Sequence, residues 1–112
     1  MSIQVSWRGH VFTIYTPEGD WNEVSGVYIM CGTNPLSNTW KPLYIGQGDT
    51  FKSRFGTDMN RHEVWPEALE LGATHVHVMV VPLQADRDRI EQELIRVYNP
   101  PLNVHHAQKR GI

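Results

Sequence analysis

The chain has 112 residues, 40% hydrophobic and 20% charged, which suits one globular domain and excludes a disordered polar chain. Lys and Arg number 10 against 12 Asp and Glu, a formal net charge of −2, so tight unaided binding to nucleic acid by charge alone is not expected. A single cysteine, Cys31, excludes an internal disulfide, Met1-Ser2-Ile3-Gln4 does not open a signal peptide, and no apolar run approaches the roughly 18 residues that cross a membrane. A cytoplasmic location without a membrane partner is the expectation.

In chain order, Ile3, Val5, Trp7, Phe12 and Ile14 alternate around Arg8-Gly9, which predicts a β-hairpin from Ile3 to Tyr15. Pro17-Glu18-Gly19-Asp20 has loop chemistry. Gly26–Cys31 and Leu43–Gly46 read as a second strand pair, joined by a long polar loop from Gly32 to Pro42. Asp49 suits the N-cap of a short helix through Phe55, with Phe51 and Phe55 on one face. Asn60 and Glu63 have capping-box spacing, and Pro66, tolerated only in a first turn, leaves the segment through Leu71 as one broken helix or two short ones. His75 to Val81 alternates as a strand with Val76, Val78 and Val80 on one side. Asp86 can cap a helix from Arg87 to Tyr98 that Pro100 ends. The fold class that follows is α+β: a small, mostly antiparallel sheet flanked by helices.

Glu91 carries the clearest residue-level signal. At 100° per residue, Ile90, Leu94, Val97 and Tyr98 form one apolar arc with Ile95 on its flank, and Glu91 falls between Tyr98 and Ile95. A carboxylate turned toward a core needs a cation or several donors, or else must reach solvent at the rim. Glu93 lies near the opposite edge and reads as solvated. Tyr28 and Tyr44 sit in strands where tyrosine commonly packs, but each has a neighbouring glycine, which marks a close approach to the backbone. His75 and His77 share a strand face and His105-His106 follow the last helix, yet the Cys/His spacing of structural zinc is missing. Trp7, Trp21, Trp40 and Trp65 are scattered and read as packing residues.

Gly26-Val27-Tyr28, Tyr44-Ile45-Gly46 and the run from Glu91 to Asn103, with Arg54 eight residues after Gly46, resemble in this order the GIY-YIG nuclease superfamily. In the last run, Glu91, Leu94, Ile95, Arg96, Pro100 and Asn103 match the family pattern in register, whereas a start at Glu93 does not. The match makes residues 26–103 the core of a single domain spanning residues 1–112, with residues 1–25 an N-terminal extension that adds a β-hairpin. The resemblance implies a GIY-YIG-like fold and a metal-dependent DNA endonuclease. It places Mg²⁺ or Mn²⁺ on Glu91, puts Arg54 on the phosphate, and has Asn103 orient the site. Gly46, Gln47, Lys52 and Arg54 become candidate substrate contacts. Asp58 stands where many members carry histidine or tyrosine, so His62, four residues further, is the candidate for that role. The general base stays open among Tyr28, Tyr44 and His62. Lys52, Arg54, Arg61, Arg87, Arg89 and Arg96 could build a local basic cleft despite the acidic balance. The other readings are dependence on a larger assembly that supplies DNA affinity, and a non-catalytic module binding nucleic acid or protein on the same fold.

Overall fold

The computed structural model describes residues 3–18, 25–51, 55 and 62–104. Strands β1 (Gln4–Trp7) and β2 (His10–Tyr15) form the expected hairpin. Arg8 and Gly9 both take left-handed φ values, 53° and 83°, the turn whose twist matches the flanking strands. Strands β3 (Gly26–Asn34) and β4 (Thr39–Gly48) form the second hairpin and run past their predicted ends. The loop expected over Gly32–Pro42 shrinks to residues 35–38, where the Asn38 N–H donates to the Asn34 carbonyl at 2.8 Å. Its arms escaped the sequence pattern because Thr33, Asn34, Thr39 and Lys41 are exposed: pairing continues beyond the core, but apolar alternation does not.

Helix α1 (Trp65–Glu70) holds Pro66 in its first turn, where the missing N–H has no intrahelical partner to lose. It leads through Gly72, at φ 97°, into strand β5 (Ala73–Val80), and helix α2 (Gln84–Tyr98) follows. The start of α2 differs from expectation, while its end at Tyr98 does not. Leu83 is the N-cap of α2, while Asp86 lies in the first turn, paired with Arg89 at 3.1 Å. Asn99 closes the helix in the left-handed conformation and donates its N–H to the Ile95 carbonyl. Among the described residues, no helix is long and apolar enough to cross a membrane.

The strands make one five-stranded sheet in the order β1-β2-β5-β3-β4, with every neighbouring pair antiparallel. This is an α+β architecture. The N-terminal hairpin belongs to the same sheet through β2–β5 pairing. Both sheet faces carry core. Tyr28, Met30, Val76 and Val78 pack on one side with Phe51, Phe55, Trp65, Ala68 and Leu102. Val27, Ile29 and Cys31 pack on the other with Trp7, Phe12, Ile90 and Leu94. Phe51 and Phe55 stack with their planes 3° apart, as their shared face predicts. Val80, expected on the strand side of Val76 and Val78, and Val97, expected in the apolar arc of the last helix, are 58% and 42% exposed. A bulge in β4 lets the consecutive Leu43 and Tyr44 serve the same core, since Met30 faces Tyr44 while Cys31 already faces Pro42.

His77 is fully buried, and its environment explains why it does not read as a metal ligand. The Trp7 indole N–H donates to its Nδ1 at 2.9 Å, so the ring proton resides on Nε2, which has no hydrogen-bond partner among the described residues. Burial, and secondarily the nearby His75, lower its pKa from 6.5 to about 4. Protonating Nδ1 would also set two N–H donors against each other. The unfolded chain therefore takes up a proton below pH 6.5 that the folded chain refuses until about pH 4. Stability should be fully retained above pH 6.5 and fall by at most about 3 kcal/mol on the way to pH 4. Urea midpoints measured across that window should show the fall, and His77→Gln should flatten it.

Candidate active site

Tyr28 on β3 lies opposite Gly46 on β4, and the glycine exists for the tyrosine. A Cβ at residue 46 would stand 2.4 Å from the Tyr28 hydroxyl and 2.5 Å from its Cζ. The phenol thus lies across bare backbone, boxed by Phe51 and Phe55 edge-to-face. Gly26 has a similar cause: its Cβ would meet the Met79 carbonyl oxygen at 2.1 Å. The two glycines flanking the Gly-Val-Tyr and Tyr-Ile-Gly fragments are packing requirements.

His62 brings its Nε2 to 2.5 Å from the Tyr28 hydroxyl, and its Nδ1 accepts the Val64 N–H at 3.1 Å. With Nδ1 used as an acceptor, the neutral ring carries its proton on Nε2 and donates it to the phenol oxygen. Both residues are buried, at 0% and 3% exposure. Tyr44 is half-buried, its ring centred 6.3 Å from that of Tyr28 and 5.8 Å from that of His62. It is the more accessible of the two phenols.

Asn103 sits in a helical turn after Pro100, anchored by buried Leu102. Its Oδ1 accepts the Ile45 N–H and its Nδ2 donates to the Ile45 carbonyl, both at 2.8 Å. The side-chain amide therefore pairs with the outer edge of β4 as a neighbouring strand would, between Tyr44 and Gly46. Asn103→Ala should cost about 1–3 kcal/mol by stripping two backbone groups of their partner. Asn103→Asp keeps an acceptor for the N–H but sets a carboxylate against the carbonyl, so its urea midpoint should also fall. A wild-type midpoint for both variants would show that water replaces the amide without loss.

Gln47 links β4 to α2. Its Nε2 donates to Asp88 at 2.7 Å and to Glu91 at 3.2 Å, while its Oε1 accepts from Gln84 at 2.8 Å and from Arg87 Nε at 3.4 Å. Its amide, expected to touch substrate, is thus engaged within the protein. Arg87, expected in an open basic cleft, is buried. Its guanidinium holds the Val81 and Pro82 carbonyls, Gln84 and the Asp49 carboxylate. The same ion pair engages Asp49, the expected helix cap, at 2.8 Å. Glu91 is half-buried beside Gln47, consistent with its place between arc and rim. Glu93 is not simply solvated: it meets Arg8 at 3.7 Å and His10 at 3.4 Å.

Asp88 escaped the sequence reading. It lies one turn before Glu91 and shares the Gln47 amide with it, and the hydrogen bonds from Gln47 and then Gln84 hold its carboxyl below the usual range. The three-residue spacing to Glu91 was visible; the glutamine joining them from another element was not. Among the described residues, no group of three His, Cys, Asp or Glu side chains could hold a metal ion. A half-buried carboxylate that shares a neutral amide with a second one nevertheless suits a hydrated Mg²⁺, which needs one or two carboxylates. Lys52, Arg54, Asp58, Asn60, Arg61, Trp21, His105 and His106 lie outside the described residues. Comparison with known proteins returned no matching family model, no matching curated protein and no matching solved structure.

Proposed function

We propose that the chain is a metal-dependent DNA endonuclease of the GIY-YIG type, hydrolysing phosphodiester bonds. The observation that carries this reading is convergence on residues 44–47 of one edge strand. Tyr44 adjoins the Tyr28–His62 pair, the Ile45 backbone is clasped by Asn103, Gly46 underlies the Tyr28 ring, and Gln47 reaches Glu91. Residues from four separate parts of the chain contact this strand, the phenols and His62 from one face of the sheet and Glu91 from the side of α2, and they are those the family resemblance singles out.

In this reading Tyr44, the accessible phenol, meets the attacking water, and Tyr28 stands behind it with its oxygen held by the His62 N–H. A hydrogen bond donated to an oxygen favours negative charge on it, so His62 acts on the phenol in preference to acting as the base itself. Arg54 steadies the phosphate through its planar fork. Asn103 keeps β4 in place, and Glu91 holds the metal with Gln47 fixing its carboxylate. Bound Mg²⁺ or Mn²⁺ supplies electrostatic stabilisation of the leaving oxygen. The burial of Tyr28 and His62 and the net charge of −2 favour, as second reading, a module that binds without cutting or works inside a larger DNA-binding assembly.

Plasmid, single-stranded, flap and junction DNA incubated with Mg²⁺ or Mn²⁺ should be nicked or cut, and EDTA should abolish the products. Binding without product on every substrate would leave the non-catalytic module as the better account.

A further inference from the structure

Arg8, Arg89 and Arg96 line an open groove of about 750 Å³ along the outer face of α2, together with Ala85, Asp88, Gln92 and Glu93. The groove joins the two parts of the chain that the nuclease reading leaves apart. Arg8 comes from the turn of the N-terminal hairpin, and Asp88 belongs both to the groove and to the Gln47–Glu91 cluster. A strand lying in the groove would therefore be led toward Glu91.

We propose that this groove receives the sugar–phosphate backbone of a nucleic acid, with the hairpin turn as its far wall and the three arginines as phosphate contacts. The proposal deepens the nuclease reading and rests on it for the class of ligand. Three observations favour phosphate over a protein segment. The cations are all arginines, whose planar forks match phosphate oxygens. Ala85 is the one apolar side chain in the lining, so the groove lacks the buried apolar centre of a protein interface. Arg89 and Arg96 stand seven residues apart on one helix, about 10 Å, or roughly three nucleotides of axial rise.

The carboxylates nearby are already engaged. Glu93 faces Arg8 and His10, Asp86 faces Arg89, and Asp88 accepts the Gln47 and Gln84 amides. The Arg8 and Arg89 side chains remain 54% and 70% exposed. Exposed pairs of this kind contribute little and yield readily to a phosphate. Arg96 has no ion pair or hydrogen bond among the described residues.

The test uses the full chain and a labelled DNA junction, with binding in EDTA followed by anisotropy across a salt series. Arg8→Asn (asparagine tolerates the left-handed φ) combined with Arg89→Gln and Arg96→Gln should lower the slope of log K against log salt by about two to three. Affinity at low salt should fall at least tenfold. Arg96→Gln alone, at an exposed and unpaired position, should remove about one unit of slope without touching the fold. With Mg²⁺ present, KM should rise while the single-turnover rate at saturating DNA stays near wild type. An unchanged slope, or no DNA binding by the wild type, overturns the proposal. So does an arginine-dependent complex with a polyglutamate peptide that is tighter than the DNA complex. A lowered slope in a protein that never cuts would sink the nuclease reading and keep the groove. Cutting with an unchanged slope would do the reverse.

Discussion

Gly46→Ala should unfold the site before it changes any chemistry. The added methyl would stand 2.4 Å from the Tyr28 hydroxyl, and Tyr28 cannot withdraw because Phe51, Phe55 and His62 enclose it. Overpacking of a fully buried ring costs about 3 kcal/mol or more, which lowers the melting temperature of a domain this size by roughly 10 °C. Tyr28→Phe should not rescue it, since Cζ is nearly as close at 2.5 Å. Tyr28→Leu should, and a double-mutant cycle between positions 28 and 46 would measure the coupling. Gly9→Ala is the contrast: its Cβ meets nothing within 4 Å, so only the φ of 83° opposes it, at about 1 kcal/mol. Equal losses for the two alanine variants would mean that the ring–glycine contact does not carry the penalty.

Glu91→Ala should reduce metal-dependent cleavage by two to three orders of magnitude or more, while leaving the fold intact. Glu91 shares the Gln47 nitrogen with Asp88, so removing it also relieves two carboxylates held near each other. The melting temperature should hold or rise slightly. Glu93→Ala should cut DNA normally and lose about 0.5 kcal/mol of stability with its partners Arg8 and His10. Cleavage that survives the change at Glu91 and disappears with the change at Glu93 would show that the register of the final motif is shifted.

The elements with strong alternation were legible from the chain alone. The Arg8-Gly9 turn, the strand through His75–His77 and the helix through Glu91 all appear where periodicity and turn chemistry put them. The misreadings share a cause, the shift from local pattern to tertiary partner. Asp86 has the chemistry of a helix cap, but it lies inside the first turn and meets Arg89 instead. Arg87 looks like a surface cation until two carbonyls and a carboxylate from outside its helix surround it. Asn103 reads as a turn residue after two prolines, and nothing local announces that it will pair with Ile45, 58 residues earlier. Gly46 was legible as a place of close approach, though not as the bed of the Tyr28 ring.

The clasp between Asn103 and Ile45 also governs how the molecule meets copies of itself. A sheet edge with free N–H and carbonyl groups is a template onto which another chain can add. On β4 the middle of that edge is already taken by a side-chain amide from the protein's own tail. At the opposite margin β1 is only four residues long and ends at a left-handed turn. One border is interrupted at Ile45 and the other is short, which discourages self-association by strand addition at both ends of the sheet.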